Sequence, residues 1–245
     1  MTLPGVCRLA GTAKPRWTFV PVGPRIAVVS LRRSETTTLT LPQQPLDLFH
    51  PLVRCWFAER IGTPTDAQAR AWPLIAEGRN VLLTAPTGSG KTLAAFLWAI
   101  DRLASREWST GRIRVLYVSP LKALNNDVHR NLLGPLAEIR ARFEAAGEAM
   151  PPIRVQTRSG DTPDAERRRM VSRPPEILVT TPESLNLLLS SPRARSLLTG
   201  VTTVILDEVH AVAASKRGTH LMTAVERLAL SAGEFQRVAL SATVR

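Results

Sequence analysis

The sequence predicts an α/β fold in which a mainly parallel sheet carries helices on both faces. Six short, largely apolar segments alternate with helical segments along the chain, and 44% of its residues are hydrophobic, which is ample for a packed core. Strands that are apolar along their whole length are typical of sheets buried on both faces. Because ligands bind at the carboxyl ends of the strands in such sheets, the residues after each strand are the first candidates for a site.

Residues 1–45 differ from the rest of the chain. They contain six of the 19 prolines and a threonine-rich stretch, with no sustained helical or alternating pattern. We expect either a flexible N-terminal extension or upstream sequence read from a misplaced start codon. From Leu46 the apolar spacing is helical until Gly62, so we expect the ordered domain to cover residues 46–245.

The remaining elements follow in order. Strands are predicted at 81–85, 113–119, 153–158, 176–181, 202–206 and 237–241. Helices are predicted at 91–104, 121–146, 161–171, 182–198 and 218–230, because apolar residues recur there at spacings of three and four. Gly134 and Pro135 are expected to divide the second of these segments into two helices.

Charge and cysteine content narrow the class of protein. The net charge of +12 indicates a polyanionic partner, although a merely solvated, arginine-rich surface has the same balance. No apolar run approaches the roughly 20 residues of a membrane span, and the N-terminus lacks a signal-peptide pattern. Cys7 and Cys55 have no metal-ligand spacing, which fits a reducing compartment. We therefore expect a cytoplasmic protein without a membrane partner.

The stretch APTGSGKT follows the first predicted strand and opens a helix. Gly88 and Gly90 let the backbone wrap around phosphates, Lys91 can reach the β and γ oxygens, and Thr92 can bind Mg²⁺. The predicted phosphate-binding residues are Ala85, Pro86, Thr87, Gly88, Ser89, Gly90, Lys91 and Thr92. The predicted cofactors are ATP and Mg²⁺, and the alternative is a glycine-rich turn without a ligand.

The stretch VILDEVH, residues 204–210, places two carboxylates at the end of an apolar strand. Asp207 is predicted to hold Mg²⁺, through water, and Glu208 to accept a proton from an attacking water. Two adjacent acidic residues also occur in solvated turns. The phosphate-binding loop earlier in the same alternating chain favours the catalytic interpretation, with Lys91 as the third catalytic residue.

Five motifs in this order resemble those of superfamily 2 helicases. They are APTGSGKT (85–92), SPLKAL (119–124), TTPESL (180–185), DEVH (207–210) and SAT (241–243). The shorter sequence patterns between these motifs, within residues 46–245, are similar to those of the Lhr (large helicase-related) group. The resemblance implies a RecA-like P-loop NTPase domain that couples ATP hydrolysis to unwinding or translocation in the complete protein.

The resemblance also assigns roles near the nucleotide. Gln68 matches the glutamine that reads adenine in this family, and its amide has the donor and acceptor that this requires. Phe49, Trp56 and Phe57 are candidates for stacking on adenine, or they belong to the core. His210 is implied to couple the nucleotide site to Ser241 and Thr243. His50, His129 and His220 form no ligand set, so they receive no metal role.

In this family the loops after several strands hold the backbone of a nucleic acid. The matching residues here are Ser119, Lys122, Ser159, Gly160, Thr180, Thr181, Pro182 and Glu183. Hydroxyls, amides and a lysine suit phosphate contacts that read no base. Thr181 before Pro182 also has the chemistry of a helix cap, and the run Arg167 to Arg169 is better explained as a solvated helix face.

The resemblance implies that the second RecA-like domain, which supplies catalytic arginines in such motors, is absent from the chain. We therefore expect weak binding of ATP and Mg²⁺ and slow or no hydrolysis by this chain alone. Two other classes stay open at this point. One is a stand-alone module that binds nucleic acid in a nucleotide-dependent way, and the other is a P-loop protein that is not a helicase.

Overall fold

The sheet of this protein is parallel throughout. In the computed structural model, which describes residues 26–30, 44–120 and 128–242, seven strands pair in the order β1-β2-β7-β6-β3-β5-β4. The strands are β1 (Ile26–Ser30), β2 (Asn80–Thr84), β3 (Val115–Val118), β4 (Val155–Arg158), β5 (Ile177–Thr180), β6 (Thr203–Leu206) and β7 (Gln236–Ser241). This arrangement confirms the predicted fold class.

Helices connect the strands and cover both faces of the sheet. They are α1 (Pro51–Arg60), α2 (Asp66–Ala76), α3 (Lys91–Ala104), α4 (Gly134–Ala145), α5 (Asp164–Ser172), α6 (Pro182–Ser190), α7 (Pro192–Arg195) and α8 (Lys216–Ala232). Short 3₁₀ turns lie at Pro45–Leu48, Ser196–Gly200 and Val209–Ala211. No helix in the described part of the chain has the length and apolar character that crossing a membrane requires.

The strand pleat divides the core into two layers. On β3, Tyr117 faces the cluster formed with α1 to α4, whereas Leu116 and Val118 face the cluster formed with α6 and α8. Successive side chains of a strand point to opposite faces, so an all-apolar strand contributes side chains to both layers of the core. This is why the buried strands of this chain read as continuous apolar runs.

Strand β1 lies within the segment predicted as a flexible extension. Its residues pair in parallel with β2, with Ala27 beside Val81 and Val29 beside Leu83. The sequence predicts no strand here, because five residues among prolines give no sustained pattern. The pairing comes from the edge of β2, which offers hydrogen-bonding groups to a short β-branched segment. The division of the chain at residue 46 stays a prediction.

The helix division predicted at Gly134 and Pro135 differs from the structure. A π-helical turn, His129–Leu133, leads directly into α4, and Gly134 has helical angles with its amide donating to the carbonyl of His129. Pro135 lies in the first turn of α4, and the wider π-helical turn directly before it accommodates the proline ring and its missing amide. The chain therefore stays helical through these residues.

Candidate functional site

The loop between β2 and α3 depends on two glycines. Gly88 and Gly90 have φ of +81° and +78°, a region that favours residues without a Cβ. A Cβ on Gly90 would also lie 2.5 Å from Nε2 of Gln68, whereas a Cβ on Gly88 meets no atom within 4 Å. The hydroxyl of Thr65 donates to the carbonyl of Ser89 at 2.9 Å. The loop is thus fixed from the start of α2.

Gln68 is the inner half of a capping box. Its side-chain Oε1 accepts from the backbone amide of Thr65 at 2.9 Å, and its backbone amide donates to the Thr65 hydroxyl. Nε2 donates to the carbonyl of Gly90 at 3.3 Å, and the residue is 1% exposed. The structure thereby brings Gln68 against the phosphate-binding loop. Its adenine-reading role stays a prediction, because both ends of the amide already bond within the chain.

Lys91 is buried at the first position of α3. Its ammonium donates to the carbonyls of Ala85, at 2.6 Å, and Pro86, at 2.9 Å. Burial lowers the pKa of Lys91 below its ordinary value, and the negative charges of Glu208 and Asp207 act in the opposite direction. Thr92 follows in the first turn, half-buried. The loop carbonyls therefore hold the charge at the place where a phosphate is predicted.

Asp207, directly after β6, is held on both carboxylate oxygens. Oδ1 accepts from the amide of Glu208 at 2.8 Å, and Oδ2 accepts from the hydroxyl of Tyr117 at 2.5 Å. Asp207 is 6% exposed, so these bonds fix its orientation in a largely buried place. Glu208 adopts a left-handed conformation with φ of +50°, which costs roughly 1–3 kcal/mol for a residue other than glycine. This left-handed residue directly precedes the 3₁₀ turn Val209–Ala211.

His210 connects the acidic turn to the end of β7. Its Nδ1 accepts from the amide of Ala242 at 3.1 Å, and its Nε2 lies 3.2 Å from Oε2 of Glu208. An acceptor at Nδ1 places the proton of a neutral ring on Nε2, which then donates to Glu208. Ser241 uses its hydroxyl on the carbonyl of Ala242, and its own carbonyl accepts from the amide of Ala85. Thr243 lies outside the described residues.

The predicted nucleic-acid residues follow β3, β4 and β5, which are neighbours in the sheet. The Ser119 amide donates to the carbonyl of Thr180 at 3.1 Å, and Ser159 and Gly160 form the turn after β4. Thr181 caps α6 by accepting from the amide of Ser184 at 3.3 Å. The structure therefore brings these loops to one edge, and the capping role of Thr181 is present as well.

Three other members of that set have structural partners. Thr180 is fully buried and donates its hydroxyl to the carbonyl of Arg158 at 2.8 Å. Pro182 is buried at the start of α6, and Glu183 bonds to Arg217 through both carboxylate oxygens. Lys122 lies outside the described residues. Fewer of these residues are therefore available to contact a nucleic acid than the sequence motifs predict.

The aromatic candidates for stacking on adenine lie in the core. Phe49, Trp56 and Phe57 are 6%, 2% and 0% exposed. Phe49 and Phe57 both contact Trp72 edge to face, with ring centroids 4.8 Å and 5.4 Å apart. Of the two alternatives open from the sequence, the structure supports the core role.

Sequence reasoning missed Tyr117 and the backbone of Ala242. Tyr117 belongs to an all-apolar strand, and only the pairing of β3 with β6 brings its hydroxyl to Asp207. The signal available in the sequence is the one polar atom in the run VLYV, since a buried tyrosine hydroxyl usually has a partner. Ala242 acts through its amide, which no side-chain pattern reveals.

The fold and this arrangement of motifs define a P-loop ATPase domain of the helicase class. Residues 65–245 match the DEAD/DEAH box helicase family, and the chain belongs to that family. It is similar to the Lhr helicase/probable uracil glycosylase of Mycolicibacterium smegmatis, with 59% identity over 204 residues. It is also similar to the Lhr helicase/uracil glycosylase of Escherichia coli, at 51%, and to ATP-dependent helicase Lhr-Core protein 2 of Thermococcus barophilus, at 52%. The resemblance to the Lhr group is confirmed.

The matched relatives are much longer than this chain. The alignments cover 82%, 81% and 78% of the chain, but 13%, 13% and 23% of the three relatives. The structure of Mycobacterium smegmatis helicase Lhr bound to ssDNA and AMP-PNP matches with a TM-score of 0.77 and 57% identity, over 82% of this chain and 26% of that one. DEAD-box helicase Mss116 bound to ssRNA and UDP-BeF shares the fold, with a TM-score of 0.67 and 16% identity, over 90% of this chain and 43% of that one.

Proposed function

We propose that this chain is the ATP-binding motor domain of a nucleic-acid helicase, which couples ATP hydrolysis to unwinding or translocation in the complete protein. One observation carries the proposal. Three adjacent strands, β2, β7 and β6, end in the phosphate-binding loop, the Ser241 segment and the acidic turn, respectively. Family membership supports it. We assign this function to residues 46–245.

The residues present fit a nucleotide with Mg²⁺. Ser89 Oγ is buried without a hydrogen-bond partner among the described residues, in a loop whose two left-handed glycines leave the backbone open to a close approach. The loop amides and Lys91 would hold phosphates, and Thr92 and Asp207 would hold the metal. Mg²⁺, when bound, supplies charge stabilisation on phosphate oxygens. Gln68 would read adenine only after its side chain leaves Thr65 or Gly90.

Glu208 is the general base in this proposal. Its left-handed backbone sets it beyond the strand end, and the bond from Nε2 of His210 holds its carboxylate. Any movement of Glu208 is thereby passed to the amide of Ala242. His210, Ser241 and Thr243 form the proposed coupling segment, with the Ala242 backbone as the direct contact. A second RecA-like domain in the complete protein would supply the arginines that stabilise the transition state.

A nucleic-acid backbone is the proposed second ligand. Solved relatives with this fold hold ssDNA or ssRNA. The loops that follow β3, β4 and β5 would contact phosphates through Ser119, Lys122, Ser159, Gly160 and Thr181, while Thr180, Pro182 and Glu183 support those loops. We propose the cytoplasm as the site of action, because the chain has only Cys7 and Cys55 and their spacing gives neither a metal site nor a disulfide framework.

Two substitutions test the nucleotide site. Lys91→Ala should abolish binding of a fluorescent ATP analogue to the purified chain, because it removes the only cation bonded to the loop carbonyls among the described residues. Glu208→Gln should keep binding and lose whatever hydrolysis the chain has. Equal binding by the chain and the Lys91→Ala variant would overturn the proposed function.

A further inference from the structure

A cleft rich in arginine lies beside the Gly160 turn and outside all the motifs. It is lined by the end of β4, by α5 and by α7, and its arginines are Arg158, Arg167, Arg168 and Arg193. Asp164 is the one acidic residue among its lining residues. Four positive charges against one negative charge in a single cleft attract an anion strongly. From the sequence alone, the arginines of α5 are better explained as a solvated helix face, and the structure shows that two of them line this cleft.

Arg167 ties the cleft to the loop proposed to contact nucleic acid. Its Nη2 donates to the carbonyl of Gly160 at 2.8 Å, and its Nη1 lies 3.6 Å from Oδ1 of Asp164. Its Nε is buried without a hydrogen-bond partner in the described part of the chain. A buried donor of this kind costs about 1–3 kcal/mol when it stays unbonded. The donor sits at the junction of the cleft and the turn.

The other three arginines of the cleft lack an ion pair of the kind that Arg167 forms with Asp164. Among the described residues, Arg158, Arg168 and Arg193 form no ion pair within 4 Å. Burial lowers the pKa of Arg158, and the charge of Arg167 lowers it further, whereas Asp164 raises it. Like charges are thus held together in a partly desolvated place. An anion in the cleft would offset this repulsion.

We infer that this arginine cleft binds a backbone phosphate of the same nucleic-acid strand that contacts the Gly160 turn, and so extends the contact surface beyond the motifs. The inference rests on the proposed function, because it assigns the occupant from the adjacent loop. Guanidinium groups match the geometry of phosphate oxygens and read no base. Arg158 and Arg167 are half-buried, whereas Arg168 and Arg193 are exposed at the cleft, where Val171 and Ala194 contribute apolar surface.

The test is salt-dependent binding of a labelled single-stranded oligothymidylate, followed by fluorescence anisotropy. Arg168→Gln with Arg193→Gln removes two of the arginines proposed to hold that phosphate. The slope of log K against log salt should fall by about 0.7, and affinity at 0.1 M salt should fall about 5-fold, because one phosphate contact to a single strand contributes a slope of about 0.7. Binding of the ATP analogue should not change. Inorganic phosphate at matched ionic strength should not displace the strand, because it engages fewer of the contacts.

The matched control is Arg60→Gln with Arg142→Gln. It removes the same charge from α1 and α4, which cover the opposite face of the sheet, and affinity should change less than about 2-fold. If the unmodified chain binds the strand and the cleft variant matches it in affinity and slope, the cleft inference is wrong and the proposed function stands. If the control loses as much as the cleft variant, only overall charge matters, which also overturns the inference. A chain that binds no strand at all would contradict the nucleic-acid part of the proposed function.

Discussion

The hydroxyl of Tyr117 offers a sharp test of how the acidic turn is held. Tyr117→Phe removes one oxygen, and the ring keeps its contact with Phe96, 4.8 Å between centroids. The lost bond is 2.5 Å long, joins residues that are 1% and 6% exposed, and ends on a carboxylate. A hydrogen bond to a charged group contributes about 1.5–3 kcal/mol, so we expect the free energy of unfolding in urea to fall by about 2 kcal/mol.

The same change should weaken the metal-dependent part of nucleotide binding. Groups that orient a metal-binding carboxylate typically contribute 10-fold or more to metal affinity, so we expect about 10-fold weaker binding of an ATP analogue with Mg²⁺ and no change without Mg²⁺. Thr202→Val is the matched control, because its hydroxyl donates to the carbonyl of Arg114 at 3.0 Å, at the opposite end of the sheet. It should lose stability alone. If Tyr117→Phe leaves both unfolding and the Mg²⁺ dependence unchanged, Tyr117 does not position Asp207.

Three further outcomes are expected. Gly88→Ala should lower the free energy of unfolding by about 1–2 kcal/mol through backbone strain. Gly90→Ala should lower it by about 1 kcal/mol more, because the added Cβ displaces the Gln68 side-chain amide. Equal urea midpoints for the two variants would show that displacing Gln68 has no energetic cost. Burial favours a raised pKa for Glu176, but bonds from the Arg154 side chain and the Gly111 amide hold it below the ordinary value of 4.5. Its stabilisation is therefore full above that value and lost as the pH falls through the folded pKa, so Glu176→Gln should flatten the acid side of the stability profile; an unchanged profile would contradict this. His210→Ala should leave ATP-analogue affinity within about 3-fold and increase amide exchange at Ala242, because it removes the acceptor of that amide; unchanged exchange would refute the link.

Local chemistry explains why much of the site was predictable. The loop 85–92 needs glycines, a lysine and a hydroxyl at fixed spacing, and its strand and helix flank it in the chain. The caps are equally local, since Thr65 and Gln68, or Thr181 and Ser184, lie three residues apart. Apolar runs predicted six of the seven strands for the same reason. Where the prediction missed, as at β1, the stabilising partner lies far away in the chain.

The environment of single side chains was not predictable in the same way. The sequence predicts that Gln68 faces a ligand, whereas in the structure its side-chain amide bonds to Thr65 and to the Gly90 carbonyl. The sequence favours a solvated Arg167, whereas in the structure it bonds to the Gly160 turn at the edge of a basic cleft. Burial and hydrogen-bond partners depend on packing between elements distant in sequence, so the residue type alone does not decide them.

The sequence by itself determined the fold class, the phosphate-binding loop and the acidic turn, because their information lies in residue spacing along one short stretch. The tertiary structure alone decided which strand ends are neighbours. Strand β7, the last of the described strands, pairs between β2 and β6, and so brings Ser241 beside Ala85 and the Ala242 amide to His210. Pairing on the other side of β6 brings Tyr117 to Asp207 and sets the loops after β3, β5 and β4 apart from the nucleotide loop. The physical reason is that strand order depends on burying both faces of the sheet at once. That burial involves all the strands and helices together, so no single segment of the sequence determines it.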